Sequence, residues 1–129
     1  MTAATESPDE SAAAAAVDKD VLDVLVDEIG AGDPAILVDL IASYLDEASG
    51  QVREIEQAGR AGDAATVAAV AHSLKSSSAV LGATGLADLL KRAELLARAE
   101  SPEYPALVEP ILREYARAAD ALRALRPAE

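Results

Sequence analysis

The spacing of apolar residues, in segments separated by helix-capping residues, most constrains the fold of this chain. Within each segment apolar residues recur three and four positions apart, as Leu37, Leu40 and Ile41 do in the second. Asp33 followed by Pro34 predicts the start of that segment, because aspartate caps helices and proline is favoured at the first helical position. The apolar residues are mostly Ala and Leu, with no Phe or Trp, whereas strands favour β-branched and aromatic side chains. The pattern predicts an all-α fold.

The segments predict an antiparallel up-down four-helix bundle with an additional short N-terminal helix. The expected helices span about residues 18–29, 34–60, 64–81, 86–98 and the stretch from 103 to 125. Thr84 is expected to cap the fourth helix, and Pro110 predicts either a kink or the true start of the last one. Residues 1–17, which are acidic and alanine-rich, are predicted to be a disordered tail, and residues 18–126 a single domain.

Composition excludes several classes of function. The chain has 23 Asp and Glu against 11 Lys and Arg, so binding to nucleic-acid phosphates is disfavoured. It has no cysteine, which excludes a disulfide scaffold, a thiolate nucleophile and a cysteine-ligated metal. No apolar run reaches the length of a membrane helix, and the acidic start lacks the positive region of a signal peptide. We therefore expect a cytoplasmic protein whose partners are proteins or small molecules.

The single histidine of the chain, His72, lies in a window without carboxylates. Residues 64–87 contain no Asp or Glu, and Lys75 is their one basic residue. On a helix His72 lies about 160° from Leu74, which belongs to the apolar face, so its imidazole is expected to face solvent. The other residues of its face are small, which leaves the ring accessible. They include Ala68, Ala69, Ser76 and Ala79.

This pattern suits transient phosphorylation of the histidine. Neutral imidazole is a nucleophile near physiological pH, and Lys75, one turn later, can hold an anion beside it. The lack of nearby carboxylates in the sequence removes a source of repulsion for an incoming phosphoryl group. A lone histidine three residues before a lysine is also common on ordinary solvated helices, so the residues by themselves leave both interpretations open.

At this point the sequence resembles the histidine-containing phosphotransfer (HPt) domains of bacterial phosphorelays. Their signature is approximately H-x-hydrophobic-K-G-small-small-x-x-hydrophobic-G. The matching residues here are His72, Leu74, Lys75, Ser77, Ser78, Leu81 and Gly82. The resemblance extends over about residues 18–126, and one position departs from it, because Ser76 stands where the family usually has glycine.

The resemblance implies a phosphorelay intermediate rather than a self-sufficient kinase. His72 would accept a phosphoryl group from the phospho-aspartate of a response-regulator receiver domain and pass it to another receiver, while Lys75 would stabilise its charge. Gly82 would serve the turn after the motif helix. The receiver would carry the Mg²⁺, so no cofactor or metal is expected on this chain, and a hybrid histidine kinase is a further expected partner. A monomer is expected, since the histidine face must stay free. The docking surface would comprise Ala68, Ala69, Ser76 and Ala79.

Two alternatives stay open at this stage. One is a helical module that binds receivers and regulates them without relaying phosphate. The other is that the chain is an HPt domain excised from a hybrid or chemotaxis-type kinase. A di-iron bundle is disfavoured because position 69, three before the histidine, is alanine rather than glutamate. Hydrolysis by a Ser–His–Asp triad is disfavoured because the nearest acids in sequence, Asp63 and Asp88, lie outside the window.

Overall fold

The structure of the protein is a computed structural model, in which residues 16–30 and 33–125 are described. Most of the predicted tail, residues 1–15, lies outside the described residues. The elements are α1 (Lys19–Gly30), α2 (Pro34–Ala61), α3 (Ala64–Val80), α4 (Thr84–Arg98), a 3₁₀ turn (Tyr104–Leu107) and α5 (Val108–Ala124). Five helices and no strand in this part of the chain confirm the predicted all-α class.

The four longer helices close into a bundle, and α1 packs beside it. α3 packs most extensively against α4, α2 packs against α3, and α5 lies between α4 and α2. α1 contacts α2 and the neighbouring part of α3. The shared core is made of apolar side chains from all four long helices, which supply its largest fully buried residues. These are Ile41, Ile55, Leu74, Leu86, Leu90, Ile111 and Leu122.

Aspartate caps start the two helices that precede and carry the histidine. Oδ1 of Asp33 accepts a hydrogen bond from the backbone N–H of Ala35 at 3.0 Å, and Pro34 occupies the first position of α2. Asp63 accepts from the N–H of Thr66 at 3.2 Å and from its hydroxyl at 2.7 Å. These bonds satisfy backbone donors that have no partner within the first turn. The Asp63 bonds mark the residue at which α3, the helix that carries His72, begins.

The helix starts differ from the predictions at two places. α4 begins at Thr84, two residues earlier than expected, and the capping position is Ala83, which provides no side-chain hydrogen bond. The expectation that Thr84 caps this helix is therefore wrong. Pro110 lies in the first turn of α5, directly after the 3₁₀ turn, where a proline removes no intrahelical hydrogen bond. It marks the start of the helix and not a kink.

The N-terminal boundary of the packed region also differs from the prediction. Ala16 and Val17, the last two residues of the expected tail, are buried, and Val17 joins the main core cluster. The backbone N–H of Asp18 donates to the carbonyl of Gly82 at 2.8 Å. Gly82 has a φ of +78°, and a Cβ at this position would lie 2.7 Å from the carbonyl oxygen of Asp18. The turn after α3 therefore anchors the start of α1, and only a residue without a side chain fits there.

Candidate functional site

His72 lies on the exposed face of α3, as its helical phase indicates. Its side chain is 57% exposed, while Ala71 and Leu74, on the opposite side of the helix, are fully buried. Lys75, one turn further along α3, is 28% exposed and leans towards α4. The helix therefore presents an accessible imidazole with an ammonium group beside it.

A buried glutamate of α4 joins the two residues. Oε2 of Glu94 lies 2.9 Å from Nδ1 of His72, and Oε1 of Glu94 lies 2.9 Å from Nζ of Lys75. The side chain of Glu94 is only 8% exposed. The carboxylate-free window in the sequence is therefore not carboxylate-free in space. The expectation that no acid lies near His72 is wrong, because the antiparallel packing of α3 and α4 places Glu94 beside it.

Arg98, one turn after Glu94 on α4, completes the cluster. Its Nε and Nη2 donate to Oε2 of Glu94 at 2.9 and 2.7 Å. One carboxylate oxygen thus accepts from both the guanidinium and the imidazole, while the other accepts from Lys75. Two permanent cations and one imidazole converge on a single carboxylate, which is how a protein compensates a charge removed from water.

The charge state of Glu94 determines which imidazole nitrogen carries the proton. Burial alone would raise the pKa of Glu94, but the hydrogen bonds from Lys75, Arg98 and His72 outweigh burial and lower the pKa to about 2. The ionised carboxylate can only accept hydrogen bonds, so Nδ1 of His72 is the donor. In the neutral imidazole the lone pair then lies on Nε2, the nitrogen that is not bonded to Glu94.

Comparisons with known proteins give the family of this site. The sequence model described as the Hpt domain matches residues 39–126, which is more than half of the chain. The chain belongs to the Hpt domain family. Among solved structures, histidine-containing phosphotransfer protein B (HptB) from Pseudomonas aeruginosa PAO1 is similar, with 29% sequence identity and a TM-score of 0.73. The match covers 84% of this chain and 92% of that one. Comparison with curated proteins gives no match.

Three of the four small residues predicted to surround His72 are exposed on this Hpt domain. Ala69, Ser76 and Ala79 lie on the open side of α3, and their docking role stays a prediction. Ala68 differs, since it is only 5% exposed. It packs in a small cluster between α3, the end of α4 and Tyr104. Ala68 is therefore not part of the exposed face.

The serines of the motif have different surroundings. Ser76, which replaces the usual glycine, donates its hydroxyl to the carbonyl of His72 at 3.3 Å, so it bonds to the helix backbone. Ser77 donates to the carbonyl of Leu74 at 3.2 Å. Ser78 is fully buried, and its Oγ lies 2.8 Å from the hydroxyl oxygen of Tyr44 on α2. The small residue at position 78 thus lets α2 and α3 pack closely and keeps a buried hydroxyl bonded.

Sequence reasoning missed Glu94 and Arg98. One signal was present, because Glu94 lies between Leu90, Ala93 and Ala97, which form the buried face of α4. A glutamate on a buried helix face places a charged side chain away from water, so it needs a cationic partner. Periodicity identifies the anomaly but gives no partner, since the partner depends on the register between two helices.

The described residues hold no group of three or more His, Cys, Asp and Glu side chains arranged for a metal ion. Within the same part of the chain, no helix combines the length and hydrophobicity needed to cross a membrane.

Proposed function

We propose that this Hpt domain is a phosphorelay intermediate. It accepts a phosphoryl group on Nε2 of His72 from a receiver phospho-aspartate and passes the group to the aspartate of another receiver. The observation that carries this proposal is the hydrogen bond between Nδ1 of His72 and buried Glu94, on a ring that is 57% exposed. The bond fixes the tautomer and leaves the nucleophilic nitrogen available on the exposed ring.

The transfer step follows from this arrangement. The lone pair of Nε2 attacks phosphorus, the P–O bond to the aspartate breaks, and the aspartate leaves as a carboxylate. Nδ1 keeps its proton, so the phosphorylated ring carries a positive charge next to the negative charge of Glu94. Reverse attack by a second receiver's aspartate restores the neutral imidazole. Glu94 thus stabilises the ring most strongly in the phosphorylated state, while it orients the ring in both states.

Lys75 compensates the negative charge of the phosphoryl group. Its ammonium lies 2.9 Å from Oε1 of Glu94 and one helical turn from His72. An ammonium one helical turn from the phosphorylated ring attracts the phosphoryl oxygens. It thereby opposes the repulsion that Glu94 exerts on them. We expect its loss to slow transfer without unfolding the bundle, because the side chain is partly exposed.

The expected partners are response-regulator receiver domains, with a hybrid histidine kinase as a further one. The Mg²⁺ for the aspartyl-phosphate chemistry would be held by the receiver. The similar protein HptB is a histidine-containing phosphotransfer protein, which supports the proposal. A monomeric state and a cytoplasmic location stay predictions.

Phosphotransfer from a phosphorylated receiver tests the proposal. The wild-type protein should acquire a phosphate that is labile in acid and stable in alkali, and His72→Gln should abolish the labelling with unchanged helix content. Ser49→Ala, which removes an exposed hydroxyl of α2 outside the predicted docking surface, is the control and should label normally. Label that persists in His72→Gln would show that the acceptor is another residue. Tight receiver binding without any labelling would favour the alternative of a docking module.

A further inference from the structure

Arg98 shares a hydrogen-bond acceptor with His72 but has no role in the transfer step described above. Its guanidinium binds Oε2 of Glu94, the same oxygen that accepts from Nδ1 of His72, so a single atom lies between the guanidinium and the imidazole. The side chain of Arg98 is 57% exposed. A guanidinium has five N–H donors, more than one carboxylate oxygen can accept.

The surroundings of Arg98 leave it room to move. It borders a groove of about 630 Å³ between the start of α3 and the end of α4. Ala65, Ala68 and Ala69 line the groove on α3, in the two turns that precede His72. Arg98 therefore has open space on the side of the start of α3, while its guanidinium and Nδ1 of His72 share Oε2 of Glu94.

The charge balance of the cluster favours contact between Arg98 and a phosphoryl group on His72. With a neutral imidazole, Lys75 and Arg98 together exceed the charge of Glu94 by one positive unit. Transfer adds a phosphoryl group of almost two negative charges and makes the ring positive, which brings the cluster close to neutrality. Without Arg98 the same cluster would be neutral at rest and negative once phosphorylated. Both cations are therefore needed to balance the phosphorylated state, and Arg98 is the one that shares a carboxylate oxygen with the imidazole.

We infer that Arg98 binds the phosphoryl group on His72, exchanging at least one of its hydrogen bonds to Glu94 for a phosphoryl oxygen. This inference rests on the proposed function, because it needs phosphohistidine to form. Arginine suits the role since its planar fork binds two oxygens at once and it keeps its charge at any physiological pH. After the exchange Glu94 keeps its bonds to Lys75 and to the positive ring.

The pKa of the phosphoryl group reports a cation bound to it. The purified protein is phosphorylated on His72 with phosphoramidate, a small donor that needs no receiver, and its ³¹P resonance is followed as pH changes. A bound guanidinium favours the dianion and lowers this pKa. Arg98→Ala should raise the phosphoryl pKa by about 0.5 to 1 unit relative to wild type, and Arg98→Lys by less.

Arg92 provides the matched control, because it is an exposed arginine of the same helix and lies on another face of it. Arg92→Ala should leave the phosphoryl pKa unchanged. Circular dichroism checks that each variant keeps its helix content, and Arg98→Lys keeps the charge if the alanine variant is unstable. An equal phosphoryl pKa in wild type, Arg98→Ala and Arg98→Lys would overturn the inference while leaving the proposed function intact. A wild-type protein that forms no phosphohistidine would overturn both.

Discussion

Nδ1 of His72 and Oε2 of Glu94 lie 2.9 Å apart, although the two residues are 22 positions apart in sequence. Their contact gives the exposed ring a buried, negatively charged neighbour. Glu94 is in turn held by Lys75 on α3 and Arg98 on α4, so the orientation of the imidazole depends on the packing of the two helices. The site is a property of the α3–α4 interface and not of the motif helix alone.

Glu94→Gln should slow phosphorylation of His72 by about tenfold. The amide oxygen can still accept a hydrogen bond from Nδ1, but it cannot neutralise the positive ring that forms when Nε2 is phosphorylated. The stabilisation lost from that charged state is about 1 to 2 kcal/mol. The rate is measured by rapid mixing with a phosphorylated receiver. Glu54→Gln, a change at an exposed position of α2, is the control and should leave the rate unaltered. A wild-type rate in Glu94→Gln would show that the charge of Glu94 does not act on the ring.

Glu94 should also make the fold sensitive to acid. Its pKa is lowered from 4.5 to about 2 in the folded protein, so its stabilisation is complete above about pH 4.5 and is lost as the pH falls through about 2. Urea unfolding of wild type and Glu94→Gln should therefore differ most at pH 6 and progressively less towards pH 2. A constant difference over that range would contradict the assignment of the shift to Glu94.

Much of the fold and half of the charged cluster follow from the sequence, because helix caps and the 3.6-residue period are local properties. The period places Leu74 inward and His72 outward without knowledge of any other helix. Glu94 could not be placed in the same way, since its contact with His72 depends on how far α4 slides along α3. Ala68 was misplaced for a related reason. Its angle on α3 is near the exposed face, but the end of α4 and Tyr104 cover it.

The buried hydroxyl pair of Tyr44 and Ser78 should be energetically coupled. Their oxygens are 2.8 Å apart, and burial raises the pKa of Tyr44 to about 12, so its hydroxyl stays protonated at neutral pH. Tyr44→Phe and Ser78→Ala should each cost about 1 to 2 kcal/mol, because each leaves one buried hydroxyl without its partner. The double variant should cost less than the two single losses combined. Ser49→Ala, at an exposed position of α2, is the control; additive losses would exclude coupling.

Alanine should have opposite effects at two glycines. Gly82→Ala should destabilise the protein by about 2 kcal/mol or more, since φ is +78° and the new Cβ would press on the carbonyl oxygen of Asp18. Gly50→Ala, within α2 and with nothing within 4 Å of a new Cβ, should stabilise it by about 0.5 to 1 kcal/mol. Denaturant unfolding measures both. Equal effects of the same sign would show that the turn after α3 does not constrain Gly82.

Glu100→Gly should stabilise the end of α4, the helix that carries Glu94 and Arg98. Glu100 has a φ of +54°, and the N–H of Ser101 donates to the carbonyl of Leu96 at 2.9 Å, which is the hydrogen bond of a helix terminus that favours glycine. Relief of the backbone strain should exceed the added entropy of the unfolded chain and raise the free energy of unfolding by about 0.5 to 1 kcal/mol. Glu103→Gly is the matched control, because Glu103 is also exposed but has an ordinary φ of −87°, so glycine there should lower stability. Thermal unfolding of the two variants should therefore shift in opposite directions, and a lower melting temperature for both would show that Glu100 is not strained.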